Sequence, residues 1–281
     1  MELSLWLILG IIIIAFLCEY MDSTLGMGYG TTLTPVLLLF GFLPMQIVPV
    51  VLLSELISGF LAGVLHHREG NVNFKPKSTH LPTIIEKLKI YGLLESFKRG
   101  IPRHLKVAII LGACSVLGTI VAVLVAVNIP KFWLKFYIGI LVLSMGLIIL
   151  ILNNKTFKFS WHKVTLLGLI ASFNKGMSGG GYGPVVTGGQ ILSGVEEKSA
   201  VGITSLAESL TCLVGVLAYI FISKKPLDWT LAPYIVFGAV LSVPLSAKSV
   251  KFISAKQLKL AIAITTIILG AFTILKTLNV I

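Results

Sequence analysis

One short glycine-rich motif occurs twice in this chain, and that repetition constrains the fold more than any other feature. Gly26–Gly30 reads GMGYG, and Gly179–Gly183 reads GGGYG, 153 residues further along. Each copy is followed 25 residues later by a carboxylate inside an apolar run, Glu55 in the first and Glu208 in the second. A glycine break and a buried acid that both occur twice in a hydrophobic chain predict a protein built from two structural repeats.

The composition predicts a membrane protein. Of the 281 residues, 56% are hydrophobic and only 12% are charged, whereas a soluble domain carries about 25% charged residues. Several of the ten apolar runs reach the roughly 20 residues that a helix needs to cross the hydrocarbon core. We therefore expect an all-α polytopic membrane protein with about ten transmembrane segments. The runs lie near 3–20, 31–43, 46–65, 106–127, 132–152, 163–173, 184–193, 199–222, 230–247 and 257–278.

The two halves are predicted to be inverted repeats of five segments each, with glycine-broken helices. The similarity continues past the glycine motif, since Thr34 matches Thr187 at the same offset. An odd number of segments makes the two halves cross the membrane in opposite directions, with a pseudo-two-fold axis in the membrane plane. The short runs at 31–43 and 184–193 leave open whether each is a full span or half of a re-entrant pair.

Positive charge is concentrated beside the apolar runs and predicts the orientation. Because cytoplasmic loops carry an excess of Lys and Arg, we expect the basic stretch 67–105 in the cytoplasm and both termini outside the plasma membrane. The net charge of +12 follows from this topology and does not indicate a nucleic-acid partner. The predicted organisation is 1–70 for the first part of repeat one, 71–104 for a basic cytoplasmic insertion, 105–155 for the remaining spans of repeat one and 156–281 for repeat two.

The glycine breaks are the predicted binding site for a small anion. Glycine costs about 1 kcal/mol in a helix interior relative to alanine, and backbone released from helical pairing must be buried in protein or line a wet cavity. The N–H groups at the start of the following half-helix carry the positive end of its dipole. The alternative is that the glycines only allow close helix packing. The predicted substrate-binding residues are Gly28, Tyr29, Gly30, Thr31, Lys175, Ser178, Gly179, Gly180, Gly181, Tyr182 and Gly183.

Lys175 precedes the second glycine motif, at the position where the first copy has Asp22. An ammonium there would complement an anionic substrate as a point charge with three donors. Two alternatives stay open. The side chain could extend to the membrane interface, or it could pair with Asp22, Glu19 or another buried acid.

Glu55 and Glu208 lie near the middle of their apolar runs. A carboxylate at a helix centre is costly and usually marks a pathway, a proton relay or a charged partner. Three roles stay open: proton coupling, acceptance of hydrogen bonds from the glycine-loop backbone, and cation binding. The residues assigned to coupling or gating, grouped by helical spacing, are Glu55 with Ser58, and Glu208 with Ser205 and Thr211.

We expect no enzyme and no cofactor. The chain has no GxxxxGK[ST] phosphate-binding loop, which argues against an ATP-driven pump, and no nucleophile–base set stands out. His66, His67, His80 and His104 lack metal-ligand spacing, so they are expected to be solvated or interfacial, and no metal site is predicted. The small residues of Gly59–Gly63 would let another helix approach closely, within the fold or across a homodimer.

The glycine breaks occur together with three other features. Pro35 and Pro184 follow them, a helix with a central glutamate comes next, and Gly70–Asn73 reads GNVN. With these features the chain resembles the sulfite exporter TauE/SafE family, whose members are membrane permeases linked to sulfur oxyanions, organosulfonates and related small organic acids. The resemblance implies a secondary transporter, in the direction of export, for a small anion such as sulfite, thiosulfate or an organosulfonate, working by alternating access.

Two other functions stay open at this stage. A cation or metal permease would use Glu55 and Glu208 as ligands, and a passive anion channel would use the glycine breaks as a pore. The expected partners are the small anion and the lipid bilayer, with a coupled proton and a homodimer as further options.

Overall fold

The structure is a computed structural model, and within the residues that it describes every regular element is a helix. Six of these helices are long and apolar enough to cross a membrane, so the chain is an all-α polytopic membrane protein. Most of the predicted basic insertion 71–104, including His80, lies outside the described residues. The described residues are 4–76, 100–151, 160–192, 195–223, 227–250, 252 and 255–279.

Ten helices are present in the described residues, and two of them are much shorter than the rest. Each of the two has eleven residues and directly follows a glycine break. At 1.5 Å per residue they rise about 16 Å, roughly half of the hydrocarbon core. Of the ten predicted segments, these two therefore cannot cross the membrane alone. The helices are α1 (Leu5–Leu25), α2 (Tyr29–Leu39), α3 (Pro44–Arg68), α4 (Arg103–Asn128), α5 (Lys131–Ile151), α6 (Trp161–Ser178), α7 (Tyr182–Leu192), α8 (Glu197–Ser223), α9 (Ala232–Ser249) and α10 (Ala255–Thr277).

The glycine motif ends one helix and starts the next within three residues. Gly26 ends α1 with φ 68° and Gly179 ends α6 with φ 74°. In both cases the glycine N–H donates to a carbonyl four residues back, the usual left-handed cap of a helix. Gly28 and Gly181 then turn the chain into the short helix with φ 130° and 78°. These are conformations that glycine adopts without steric cost.

The helix pairing is the same in both halves of the chain. Helix α1 packs against α9, and its repeat equivalent α6 packs against α4. Likewise α3 packs against α9, and its equivalent α8 packs against α4. The equivalents α3 and α8 also pack against each other, as do α5 and α10. The two halves are therefore interleaved, with α3 and α8 at the centre.

Helices α3 and α8 cross the centre in opposite directions. Leu52 lies against Gly215, and seven residues later Gly59 lies against Ser205 and Ser209. The contacts advance along α3 while they go back along α8, so the pair is antiparallel. The small-residue stripe Gly59–Gly63 is thus used for close packing inside the fold.

The surface of the molecule is apolar and its centre is polar. Large hydrophobic side chains such as Leu117, Phe221 and Phe237 are more than half exposed, whereas Glu55, Lys175 and Glu208 are buried. This is the distribution expected of a chain whose solvent is a bilayer, because lipid tails do not drive apolar side chains inward.

Candidate functional site at the crossing of the glycine breaks

The two glycine breaks lie directly against each other. Gly30 packs on the backbone of Gly179, and its repeat equivalent Gly183 packs on the backbone of Gly26. A Cβ atom at Gly30 or Gly183 would collide with the facing carbonyl oxygen, so only glycine allows this approach. The starts of α2 and α7 therefore meet at one buried point, although the motifs are 153 residues apart.

A threonine faces each break, and the two threonines differ in their bonding. Thr187 donates to the Gly26 carbonyl at 2.7 Å, and its hydroxyl lies 2.8 Å from that of Thr204. The equivalent Thr34 lies beside Gly179 and is fully buried. Its hydroxyl has no hydrogen-bond partner among the described residues. The threonine hydroxyl is thus hydrogen-bonded at the first glycine break, whereas at the second break it has no partner among the described residues.

A buried ammonium lies between two buried carboxylates. Lys175 Nζ donates to Glu55 Oε2 and lies 2.8 Å from Glu208 Oε1. The Lys175 side chain has no exposed surface, so the interfacial alternative for this residue is wrong and the pairing alternative is present. The two carboxylates come from repeat-equivalent positions. They reach one ammonium because α3 and α8 are antiparallel and packed closely.

Asp22 is a third carboxylate at this point, and the sequence analysis assigned it no site role. Its Oδ1 accepts a hydrogen bond from the Tyr29 N–H at 3.2 Å, so it caps the positive end of α2. Oxygen atoms of Asp22, Glu55 and Glu208 all lie within 4.8 Å of one another. The sequence signal that could have pointed to Asp22 is its position, because Asp22 and Lys175 occupy equivalent positions in the two repeats. We refer to Asp22, Glu55, Lys175 and Glu208 as the charged centre.

The charges of this centre do not balance. If all three carboxyl groups were ionised, three negative charges would face the single positive charge of Lys175. Like charges at this separation disfavour each other's ionised form, and an uncompensated buried charge is expensive. In addition, Glu55 Oε1 and Glu208 Oε2 have no hydrogen-bond partner among the described residues. Bound protons or a bound cation would compensate this excess of negative charge.

The hydroxyls of Ser178 and Thr31, which were also predicted to bind substrate, form hydrogen bonds with backbone groups at the glycine breaks. Ser178 accepts a hydrogen bond from the Gly180 N–H at 3.0 Å and donates to the Asn174 carbonyl at 2.8 Å. Thr31 donates to the Gly28 carbonyl at 3.2 Å. The predicted tyrosines, Tyr29 and Tyr182, are fully buried, and the hydroxyl of Tyr29 lies 2.7 Å from that of Ser54.

The hydroxyls assigned to coupling bond elsewhere than to Glu55 or Glu208. Ser58 donates to Glu19 Oε2 at 3.0 Å. Ser205 donates to the Val201 carbonyl and Thr211 to the Ala207 carbonyl, which keeps both hydroxyls on their own helix.

The expectation of a solvated or interfacial position is wrong for His66. This side chain is fully buried at the end of α3, where its Nε2 lies 2.7 Å from the Ser23 carbonyl. Its Nδ1 lies 3.0 Å from the Asn71 amide nitrogen. Hydropathy alone gave no sign of this, because the His-His-Arg end of the run resembles an ordinary interfacial boundary.

Helices that can cross a bilayer, two half-length helices whose starts meet and a buried charged centre define a polytopic membrane protein with a polar core. The chain matches the family described as sulfite exporter TauE/SafE over residues 11–85 and 88–273. It belongs to that family, as its motifs predicted, and is a membrane transporter of this type.

One curated relative agrees with this class. The chain is 26% identical over 247 residues to the "Probable membrane transporter protein YtnM" of Bacillus subtilis (strain 168), an alignment that covers 83% of this chain and 71% of the relative. No solved structure matches the chain.

Proposed function

We propose that the protein is a secondary transporter that moves a small anion across the plasma membrane by alternating access. The observation that carries the proposal is the crossing of the glycine breaks, which brings the starts of two half-helices to one buried point. Half-helix N-termini hold anionic groups in other transporters. The family description favours a sulfur anion such as sulfite, thiosulfate or an organosulfonate.

Alternating access is supported by the relation between the two halves. Equivalent helices pack antiparallel, not only in α3 and α8 but also in α5 and α10, where Gly139 lies against Ile274 and Gly146 against Ile267. This is the relation that an inverted repeat with an axis in the membrane plane requires. If each half adopted the conformation of the other, the buried centre would open first to one side of the membrane and then to the other. We retain the orientation with the stretch 67–105 in the cytoplasm and both termini outside.

The difference between the repeats favours the start of α7 as the anion subsite. At the start of α2, Asp22 already supplies a carboxylate to the Tyr29 N–H. The equivalent of Asp22 beside α7 is Lys175, and no described side chain accepts a hydrogen bond from the Tyr182 N–H. The unpaired hydroxyl of Thr34 lies next to this break. An oxyanion would therefore accept a hydrogen bond from the Tyr182 N–H at the start of α7, as the Asp22 carboxylate does from the Tyr29 N–H at the start of α2.

Protons are the proposed coupling ion. Protonation of Glu55 and Glu208 would free Lys175 from its two ion pairs and, with Asp22 still ionised, change the net charge of the charged centre from −2 to zero. An anion would then enter a site that otherwise repels it. Each transported anion is accordingly accompanied by protons, and the gradients set the direction of transport.

Ligand-dependent thermal stability tests the proposal. A ligand that binds only the folded state stabilises it by about 2.7 kcal/mol at one hundred times its Kd. Sulfite, thiosulfate, ethanesulfonate and acetate are added separately to wild type, to Lys175→Ala and to the exposed-site control Lys131→Ala. We expect a sulfur anion to raise the Tm of the wild type and the control but not of Lys175→Ala. A Tm that no anion changes would contradict the proposal.

A divalent-cation permease is the second candidate, because oxygens of Asp22, Glu55 and Glu208 lie close enough together to share one ion. Carboxylate oxygens suit hard cations such as Mg²⁺, Ca²⁺ and Mn²⁺. If a divalent cation raises the Tm, no anion does so and Glu208→Gln removes the effect, this candidate replaces the anion transporter.

A further inference from the structure

Glu19 is a buried carboxylate that belongs neither to the anion subsite nor to the charged centre. It lies on α1 and is 1% exposed. Its Oε1 accepts a hydrogen bond from Ser23 Oγ at 2.6 Å, and its Oε2 accepts one from Ser58 Oγ at 3.0 Å. Among the described residues no cation pairs with it. A carboxyl group that is removed from water and bonded only to neutral hydroxyls is well placed to hold a proton.

Glu19 is connected to one end of the molecule by a line of polar groups along α1 and α3. His66 Nε2 lies 2.7 Å from the carbonyl of Ser23, the residue whose hydroxyl binds Glu19. The Asn71 amide donates to the Ala247 carbonyl at 3.1 Å and to His66 Nδ1 at 3.0 Å. This fixes the His66 proton on Nε2. Since Asn71 lies just after α3, the line reaches from the α3–α4 connection to Glu19.

The other end of the line reaches the charged centre. Ser58 is one helical turn from Glu55 on α3, and Asp22 is three residues after Glu19 on α1. The carboxyl groups of Asp22 and of Glu208 on α8 lie close enough to Glu19 to interact with it electrostatically.

Among the described side chains of the remaining helices that pack on α1, no cation is paired with Glu19. The titratable group of α2 near Glu19 is Tyr29. Helix α9 carries Tyr234 and Lys248, near its two ends. On α10 the described side chains include Lys276, which binds the Leu39 carbonyl at the far end of α2. Within the described residues, the hydrogen-bond partners of Glu19 are thus neutral hydroxyls, and the carboxyl groups of Asp22 and Glu208 lie nearby.

In the second repeat the hydrogen bond to the backbone carbonyl is retained, but the carboxyl group and the imidazole of this line are replaced. The equivalents of Glu19, Ser23 and His66 are Ser172, Gly176 and Tyr219. The Tyr219 hydroxyl donates to the Gly176 carbonyl at 2.8 Å, which is the counterpart of the bond between His66 and the Ser23 carbonyl. Among the described residues, a line that joins a carboxyl group to an imidazole is therefore present in the first half and not in the second, and it leads to the side of the α3–α4 connection.

We infer that Glu19 is a proton-binding site that exchanges protons with the side of the α3–α4 connection and hands them to the charged centre. The inference rests on the proposed proton-coupled function. In the transfer, one O–H bond of the Glu19 carboxylic acid breaks and one forms on a carboxylate of the charged centre, and no electrons are exchanged. Ser23, Ser58 and His66 position the carboxyl group.

Two transport modes separate this role from a structural one. Purified protein is placed in liposomes, with thiosulfate and ethanesulfonate as probes. Exchange of labelled for unlabelled anion needs no net proton movement, whereas net uptake is followed with a pH-sensitive dye inside the vesicles. Glu19→Gln keeps the shape of the side chain but cannot carry a proton. We expect exchange close to that of wild type and anion-driven proton movement reduced by about tenfold or more.

Two variants serve as matched controls. Glu19→Asp keeps a carboxyl group and should keep proton movement, and Ser172→Ala changes the equivalent position of the second repeat and should change neither mode. Proton movement that is unchanged in Glu19→Gln would overturn the inference. So would equal loss of both modes in a variant with the wild-type Tm.

Results with the wild type separate a failure of the role inferred for Glu19 from a failure of the proposed anion transport. If net uptake of an anion by the wild type moves no protons, Glu19 has no coupling role while anion transport stands. If the wild type exchanges neither probe, the proposed function fails as well. Should Glu19→Gln not be recovered folded, Ser58→Ala replaces it. Removal of that hydroxyl should change the pH midpoint of net uptake but not the exchange rate, and an unchanged midpoint overturns the inference.

Discussion

The ammonium of Lys175 lies 2.8 Å from Oε1 of Glu208 at the centre of the molecule, where neither side chain has appreciable contact with solvent. Glu55 binds the same ammonium from the opposite repeat. Because a buried ion pair is costly to break but not strongly stabilising in itself, its presence in a membrane interior indicates a functional role more than a stabilising one. In the proposed transporter, protonation of the two glutamates would make Lys175 available to an anion.

Replacing Lys175 by methionine should destabilise the protein, by about 3–5 kcal/mol when the glutamates are ionised, because buried negative charges lose their partner. The loss should be smaller at low pH, where the carboxyl groups can be neutralised by protons. Unfolding of both proteins at pH 8 and pH 5 measures the difference. The combined change Lys175→Met, Glu55→Gln and Glu208→Gln should recover stability, and an additive loss would contradict the ion-pair account.

Gly30→Ala and Gly183→Ala should each reduce stability by about 1–3 kcal/mol or more, because the new Cβ meets the facing backbone and cannot be accommodated without moving it. Gly10→Ala is the matched control, since nothing lies within 4 Å of a Cβ at that position. Thermal unfolding in detergent compares the three. Equal Tm values would mean that the two breaks are not in contact.

Thr34 and Thr187 form a matched pair for a test of the anion subsite. Thr187→Val should cost about 1–3 kcal/mol, because the Gly26 carbonyl and the Thr204 hydroxyl lose a buried partner. Thr34→Val should leave stability nearly unchanged but weaken anion binding, since its hydroxyl has no hydrogen-bond partner among the described residues. Tm and anion affinity are measured for both. Unaltered anion affinity in Thr34→Val would place the subsite elsewhere.

Asp22→Asn distinguishes the two candidate functions. The change removes one negative charge from the charged centre and retains a side chain that can accept the Tyr29 N–H. For an anion transporter we expect tighter anion binding, by several-fold, because repulsion decreases. For a cation permease we expect binding of Mn²⁺ or Ca²⁺ to be lost. Titration calorimetry with thiosulfate and with each cation reports the direction, and weaker thiosulfate binding would argue against an anion subsite next to Asp22.

Tyr219→Phe tests whether the bond to the Gly176 carbonyl is a structural counterpart of His66. The loss of one buried hydrogen bond should cost about 0.5–1.5 kcal/mol without a change in the ratio of proton to anion movement. The measurements are the Tm and the two transport modes. A changed ratio would mean that the second repeat also takes part in proton movement.

Several features followed from local sequence. The glycine motifs predicted helix breaks because three closely spaced glycines lower helix stability and permit left-handed backbone, and Gly26 and Gly179 have that conformation. The family and the membrane class were confirmed, since motif and composition are properties of the chain itself. The sequence indicated Asp22 and Glu19 only as possible partners of Lys175, and neither was predicted as a site residue. The repeat equivalents of these two residues are not acidic, so the repeated pattern that singled out Glu55 and Glu208 gave no signal for them.

The sequence by itself determined that this protein is a helical membrane protein with two glycine breaks, because hydropathy and glycine content act within a few residues of chain. Only the tertiary structure decided that Glu55 and Glu208 share the ammonium of Lys175, and that Gly30 rests on the backbone of Gly179. Those contacts join residues more than one hundred positions apart. They arise from the antiparallel packing of α3 and α8, which no local pattern encodes.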